Sequence, residues 1–434
     1  MAELPPTAGR RTLIEAVVAS TVGTTIEWYD FFLYGIAAAD VFPGIFLPEV
    51  GPYVGQLLSF LTFTAGFLAR PVGGVVFGHL GDRVGRKATL VATLLLMGVS
   101  TVLIGVLPGH SQLGVAAPLL LLVLRCAQGL GVGGEWGGSV LLALEYGHRG
   151  RRGFLASWPQ AGVPLGLLAA AGAVALCKHY LSAEDYLAWG WRVPFFLSGL
   201  LIVVGLVIRT RLLETPLFQQ LQAKNAVSRA PIKETLARHW PEVLLAAGSR
   251  MAENACFYLF STYLIAYNKD VLGLDAGLVL LAVNLAAAVE VFTIPLYGAL
   301  SDRISRKRAC SLGLLALAFF APLYYALLGT REPAAVVLAV AISLAGIHAL
   351  LYSVQASLIP ELFGTRLRYT GSSLGYQLAS PFAGGLAPIV AGWVVHQQRD
   401  NLWLLPTYIF ALALLSLLCV HLLAETSKKD ISGE

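Results

Sequence analysis

Charge is what this chain has least of: 13% of its 434 residues are Asp, Glu, Lys or Arg, about half the share found in soluble domains. A chain so poor in charge cannot clothe a water-facing surface, and its composition is far from that of a disordered segment. Cysteine is scarce as well. Cys126, Cys177, Cys256, Cys310 and Cys419 stand apart with no Cys-x-x-Cys pair, which argues against a disulfide framework and leaves no metal site to expect. The sequence also lacks a nucleophile motif, a His/Cys/Asp cluster and a large soluble domain, so neither a membrane enzyme nor a receptor is expected. No Walker loop offers ATP as a drive. One run, Gly129-Leu-Gly131-Val-Gly133-Gly134, fits the dinucleotide pattern G-x-G-x-x-G, but no strand precedes it and its surroundings are apolar. Gly129, Gly133 and Gly137 instead lie four apart, a smooth ridge on which another helix can pack and slide.

What fills the chain is apolar. Hydrophobic residues make up 57% and the mean hydropathy is +0.72, the composition of a membrane protein. A bilayer core takes roughly 20 apolar residues per helix. Twelve such windows can be placed: 13–38, 55–80, 88–107, 118–144, 153–176, 191–210, 241–267, 276–300, 309–329, 334–359, 371–395 and 402–424. The net charge of +5 points to nucleic acid only if the bases face one soluble surface. With the amino terminus in the cytoplasm, roughly 22 of the 30 Lys and Arg fall on the cytoplasmic side, so the basicity sets membrane orientation and no nucleic-acid partner is expected. The start, MAELPPTAGRRTLIEAVV, has a twin-arginine look, but Glu15 interrupts the apolar run and eleven more spans follow. A retained first helix is expected, with both termini cytoplasmic.

The longest polar stretch, 209–240, divides the windows six and six. Landmarks recur across it. GHLGDRVGRK from residue 78 returns as GALSDRISRK from 298; Glu27-Trp-Tyr-Asp-Phe-Phe-Leu-Tyr34 aligns with Glu253-Asn-Ala-Cys-Phe-Tyr-Leu-Phe260; and EYGHRGRRG from Glu145 has its counterpart in ELFGTRLRYTG from Glu361. Three matches in one order argue for a duplicated six-helix unit, as in many secondary transporters. The expected divisions are 1–208, a linker 209–240, 241–424 and a tail 425–434.

Gly78-x-x-x-Asp82-Arg83-x-Gly85-Arg86-Lys87 resembles the loop signature of the major facilitator superfamily, and Arg125-x-x-Gln128-Gly129 resembles a second one. EWYDFFLYG, ARPVGG, RCAQGLGVGGEWGG, GWRVPFFLSG, ETPLF and ELFGTRLRYTG are similar to its metabolite:proton symporter family, which carries shikimate, α-ketoglutarate, citrate and proline or betaine. Gly364 departs from a frequent proline. The ten residues after Ala424 leave no long coiled coil of the osmosensing betaine carriers, which disfavours that substrate class. The resemblance implies an all-α fold of twelve spans in two pseudo-symmetric bundles and proton-coupled uptake by a monomer of the inner membrane.

The repeated cassette is expected to form a cytoplasmic latch. Asp82 would cap or pair with a helix end of its own half, while Arg83, Arg86 and Lys87 meet carboxylates such as Glu145 and anionic lipid heads. Asp302, Arg303 and Arg306 would act likewise against Glu361. The alternative is that these bases only anchor the chain's orientation. Ionisable groups inside spans are costly and are functional candidates by default: Glu27, Asp30, Arg70, Arg125, Glu135, Arg250, Glu253 and Glu290, with His348 as a further titratable group. Glu27, Asp30 and Tyr34 share one helix face, as do Arg250, Glu253 and Phe257, and both faces are expected to line a central cavity. Glu27, Asp30, Glu135 and Arg125 are the candidates for carrying the proton, the only coupling ion or cofactor expected. Arg70 and Arg250 are expected to hold a substrate carboxylate, aided by Glu253, Tyr34, Gln128, Gln160, Tyr258 and Gln377. The competing reading is structural pairing, for example of Arg70 with Asp30. Pro159, Pro164, Pro381 and Pro388 are expected to bend equivalent helices. An exporter or a passive facilitator of the same fold remains the alternative function.

Overall fold

The structure is a computed structural model that describes residues 10–147, 149–211, 213–397 and 403–431. The start of the chain, residues 1–9, the first residue of the last apolar window and the last three of the tail lie outside the described residues. Twelve long helices carry the fold: α1 Arg10–Asp40, α2 Pro52–Arg83, α3 Arg86–Val106, α4 Ala116–Glu145, α5 Arg152–Tyr180, α6 Val193–Arg211, α7 Trp240–Phe260, α8 Ala276–Ile304, α9 Arg306–Gly329, α10 Pro333–Leu362, α11 Arg368–Gln397 and α12 Leu404–Leu422. Among the described residues, ten helices are long and apolar enough to cross a bilayer. Of the twelve, α1 and α7 fall outside that set because charge interrupts them, and these are the helices that the repeat pairs. Outward-facing Leu68, Val123, Phe292 and Phe319 are exposed, an apolar belt that lipid covers.

Within the first bundle α1 packs on α5, α2 on α4, and α3 on α4 and α6; within the second, α7 and α9 pack on α12 and α8 on α10. Close approach needs small residues. A methyl on Gly129 or Gly133 would collide with the backbone of Gly66 or Arg70 in α2, whereas one at Gly137 would meet Ser373 of the other bundle. The ridge is thus clamped inside its own half along two positions and faces the moving interface at the third. α5 continues through Pro159 and Pro164 as one helix. In the second bundle, wider π-helical turns interrupt α10 at Ile342–His348 and α11 at Ser380–Gly385, the latter containing Pro381. Such turns are over-represented at functional sites.

The bundles meet along α5 with α8 and α10, α2 with α11, and α4 with α11. The contacts concentrate on the side that carries the termini. Asp82 accepts from the backbone N–H of Tyr369 (3.1 Å) and Thr370 (2.8 Å) at the start of α11. Asp302 accepts from Gly153 (2.9 Å) and Phe154 (3.0 Å) at the start of α5. Each acid therefore caps a helix of the opposite half, not of its own as the sequence suggests. The first N–H groups of a helix lack intrahelical partners and carry its positive dipole end, and the helix ends left open beside each cassette belong to the other bundle. Arg86 pairs with Asp82 (3.2 Å) and Glu145 (3.7 Å), and Arg306 with Asp302 (2.8 Å) and Glu361 (3.3 Å). Arg368 of the second half reaches Glu145 of the first (3.1 Å). Gly78 lies against Thr370, so α2 and α11 touch there at backbone distance.

Three of the expected latch residues behave differently. Arg83 and Arg303 are exposed. Lys87 meets the linker, not Glu145: its N–H donates to Glu214 (3.2 Å) and its ammonium to the Thr210 carbonyl (2.7 Å). The linker boundary also shifts, because α6 continues to Arg211 and carries Arg209 buried inside the bundle. Glu214 then caps α3, and Phe218 lies under the Arg86 guanidinium at 4.6 Å. The tail repeats this. Glu425 accepts from the N–H groups of Arg306 (3.1 Å) and Lys307 (3.0 Å), capping α9. Glu214-Thr215 and Glu425-Thr426 are equivalent pieces after the sixth and twelfth helices.

Candidate functional site

Charged groups at mid-depth gather into two clusters. The first is sealed inside the N-terminal bundle. The Arg209 guanidinium lies between Glu135 (3.0 Å) and Glu27 (3.5 Å) and donates to the Leu90 carbonyl (2.5 Å). Thr24 donates to Glu135 (3.1 Å), and Ser139 hydrogen-bonds to it. Asp30 lies against Thr101 and Ser198, and the Tyr34 hydroxyl meets Thr62 (2.7 Å). The face carrying Glu27, Asp30 and Tyr34 therefore points into the bundle, not into the central cavity. Spacing fixes which residues share a helix face; which neighbour that face meets depends on where the counter-charge sits, and α6 brings Arg209. The opposite face of α1 presents Trp28 and Phe32 to Phe257 of α7, 6.5 and 6.2 Å between ring centroids.

The second cluster lines the cavity. Between the bundles is a space of about 10 Å³, bordered by Trp28, Arg250, Glu253, Phe257, Tyr258, His348 and Tyr352 among others, with room for about one water. His348 Nδ1 lies 2.5 Å from Glu290 and its Nε2 lies 3.1 Å from Glu253. Both ring nitrogens face a carboxylate, and only the imidazolium has two N–H donors to satisfy both. Glu253 also pairs with Arg250 (3.3 Å), whose guanidinium donates to the Tyr376 carbonyl (3.1 Å) and to Ser380 (3.3 Å) in the π turn of α11. Two acids thus face one arginine and one histidine.

Arg70 and Arg125 belong to neither cluster. Arg70 is 1% exposed and packs over Phe31 and Phe67, each at 4.5 Å, with Tyr258 beside it; the pair with Asp30 does not form. Its Nε and Nη2 have no hydrogen-bond partner among the described residues. Arg125 donates to Gln128 (3.0 Å) and packs over Tyr34, Phe31 and Phe63, while Gln128 donates to Thr101 (2.7 Å). Gln128 and Tyr34 are therefore away from the cavity. Gln160 and Gln377 bridge the bundles: Gln160 donates to the Tyr352 carbonyl (3.1 Å) and Gln377 to that of Val132 (3.2 Å). Of the candidates for holding substrate, Arg250, Glu253 and Tyr258 meet at the cavity, joined there by His348 and Phe257.

Residues 31–388 match the profile of the Major Facilitator Superfamily. An inner membrane metabolite transport protein of Escherichia coli K12 (YhjE) is 39% identical over 96% of this chain and 95% of its own. The chain belongs to the Major Facilitator Superfamily. A shikimate transporter of the same organism is 37% identical over 95% of each chain. The solved proton:xylose symporter XylE bound to 6-bromo-6-deoxy-D-glucose superimposes with a TM-score of 0.79 at 16% identity, covering 98% of this chain and 99% of that one. The twelve-helix superfamily fold and a transport function follow; the chain is a polytopic membrane transporter and not an enzyme. Sequence reasoning missed Arg209, because it closes an apolar run and reads as the first base of the linker. His348 and Glu290 were visible as ionisable residues within spans, but their mutual contact depends on how α8 and α10 pack.

Proposed function

We propose that this transporter takes up a small organic acid or zwitterion together with protons across the inner membrane, its termini and latch on the cytoplasmic side. The observation that carries this reading is the Glu253–His348–Glu290 row on the cavity wall beside Arg250. Loss of a proton from His348 leaves one of its two carboxylate neighbours facing a lone pair and removes the positive charge that Glu253 shares with Arg250, so proton occupancy alters the substrate wall. Arg70, with unpaired guanidinium N–H groups next to Tyr258, is the proposed carboxylate anchor once the aromatic rings part. Glu27 and Glu135, sharing one Arg209, are proposed as a second protonatable pair that senses the state of the bundle and not the ligand.

The driving force is adequate. For a zwitterion carried with one proton, 100 mV contributes about 2.3 kcal/mol and one pH unit about 1.4, enough for several hundredfold accumulation. A monoanion carried with one proton crosses without net charge and gains only the pH part. The test is uptake of shikimate, α-ketoglutarate and betaine into proteoliposomes, with and without an inside-alkaline gradient. Gradient-dependent accumulation of one probe is expected, abolished in Glu290→Gln, and Arg70→Ala should weaken its apparent affinity at least tenfold. Equal rates with and without the gradient for a transported probe would identify a passive facilitator and defeat the coupling.

A further inference from the structure

One contact between the bundles lies between the cavity and the latch and belongs to neither. Trp136 of α4 and Tyr376 of α11 are stacked with centroids 3.6 Å apart and planes 12° from parallel. The Arg250 guanidinium carbon stands 3.4 Å from the same Tyr376 centroid. Two groups cannot both come so near one ring on one face, so Tyr376 is sandwiched: Trp136 of the first bundle on one side, the cavity-wall arginine of the second on the other. Trp136 and Tyr376 are 4% and 2% exposed. At 1.5 Å per residue, Tyr376 lies about 12 Å in from the α11 terminus that Asp82 caps, one layer inward of that cap. The indole N–H donates to Gln160 (2.9 Å), itself bonded to the Tyr352 carbonyl on the cavity wall, so the floor is tied to the site at a second point.

We propose that Trp136 and Tyr376 form the inner gate of the transport path and that Arg250 sets its closure from the cavity side. With Arg250 flat on Tyr376, the ring is held and its far face offers Trp136 a fixed platform. When a ligand carboxylate or a change in the Glu253–His348 pair draws the guanidinium off the ring, Tyr376 is released and α4 and α11 can part. Tyr376 and Trp136 are positioning residues; Tyr376 touches the arginine and Trp136 touches Tyr376. This proposal rests on the transport fold and not on proton coupling, so the two fail separately.

The test needs no substrate. The N–H groups of Tyr369, Thr370, Gly153 and Phe154 donate to acids across the interface, so their hydrogen exchange reports parting of the bundles. In the full chain in nanodiscs, Tyr376→Leu and Trp136→Leu should each speed exchange in peptides covering these amides by about fivefold, while Tyr376→Phe and Trp136→Phe stay near wild type. Arg250→Gln combined with Glu253→Gln, which leaves no orphaned charge, should reproduce the acceleration, and adding Tyr376→Leu should increase it no further. Wild-type exchange in the leucine variants, or independent effects of the arginine and the tyrosine, would overturn the proposal. If a leucine variant loosens the whole chain, with the outer ends of α1 and α2 exchanging as well, the arginine–glutamate pair in the Tyr376→Phe background decides: faster exchange confined to the interface supports the gate, and no change defeats it.

Discussion

In the N-terminal half Glu27 and Glu135 are locked around Arg209, with hydroxyls and a backbone carbonyl completing the shell, while Arg70 and Arg125 pack over aromatic rings. In the C-terminal half Arg250, Glu253 and His348 border the cavity, with Glu290 hydrogen-bonded to His348, and the group reaches the π turns of α10 and α11. The duplicated chain thus keeps one set of buried ions within a bundle and places another at the cavity between the bundles. The cassettes make a second comparison. Asp82 and Asp302 do the same work on opposite helices, but Gly85 (φ 130°) ends the first turn where Ser305 (φ 89°) ends the second. A left-handed backbone costs glycine little and serine more. The second latch therefore carries strain that the first does not, partly offset by the Ser305 side chain accepting from the Arg308 N–H (3.4 Å).

Breaking the sealed cluster should have the largest effect. Arg209→Ala strands two buried carboxylates and is expected to cost about 3–5 kcal/mol, seen as loss of folded protein in thermal unfolding, with partial rescue by Glu135→Gln. His348→Gln should leave the fold in place and act on pH-driven accumulation instead; an equal loss of stability would erase the distinction between the clusters. Next come the latches. Asp82→Asn should destabilise the closed face by about 1–3 kcal/mol and accelerate exchange at Tyr369 and Thr370, more than Asp302→Asn does at Gly153 and Phe154, because the Asp82 side chain is fully buried and that of Asp302 is 7% exposed. Smaller again is the turn residue. Ser305→Gly is expected to raise stability by about 0.5–1 kcal/mol, while Gly85→Ser, whose Cβ would strike Glu214, should lower it by about 1–3 kcal/mol.

The smallest effect is expected at the tail. Burial pushes the Glu425 carboxyl up, but hydrogen bonds from Ser427 and Lys307 outweigh it and hold the group at about 2. Because the folded value lies below the ordinary 4.5, the cap stabilises above that pH and is lost as pH falls toward 2. Glu425→Gln should therefore cost about 0.5 kcal/mol at pH 7, discounted for solvent screening. The difference from wild type should vanish in thermal unfolding near pH 2.

Much of the architecture could be read without coordinates. Eleven of the twelve apolar windows match the helices to within a few residues, while 241–267 runs seven residues past the end of α7, and the repeated cassette marks the two sets of helix caps that cross between the bundles. Arg250, Glu253 and Phe257, which spacing puts on one helix face, border the cavity, and Tyr258 borders it beside them. The misreadings share one cause. Glu27, Asp30 and Tyr34 do share a face, yet its direction depends on Arg209, more than 170 residues along the chain from all three. Asp82 was assigned a helix end in its own half, yet the open N–H groups beside it belong to α11. Local periodicity fixes a face; only packing chooses its partner.

The sequence by itself determined that the chain lives in a membrane, that it spans it with two copies of one helical unit, and that a few ions pay a desolvation cost inside. These follow from hydropathy, spacing and repetition, which are properties of neighbours along the chain. Tertiary structure alone decided which acids meet which bases, which bundle each latch grips, and that Tyr376 is held between Trp136 and Arg250. Most of those pairings join residues 55 to 288 positions apart, and the energy of a buried charge depends on what stands within a few ångströms of it, which no linear pattern records.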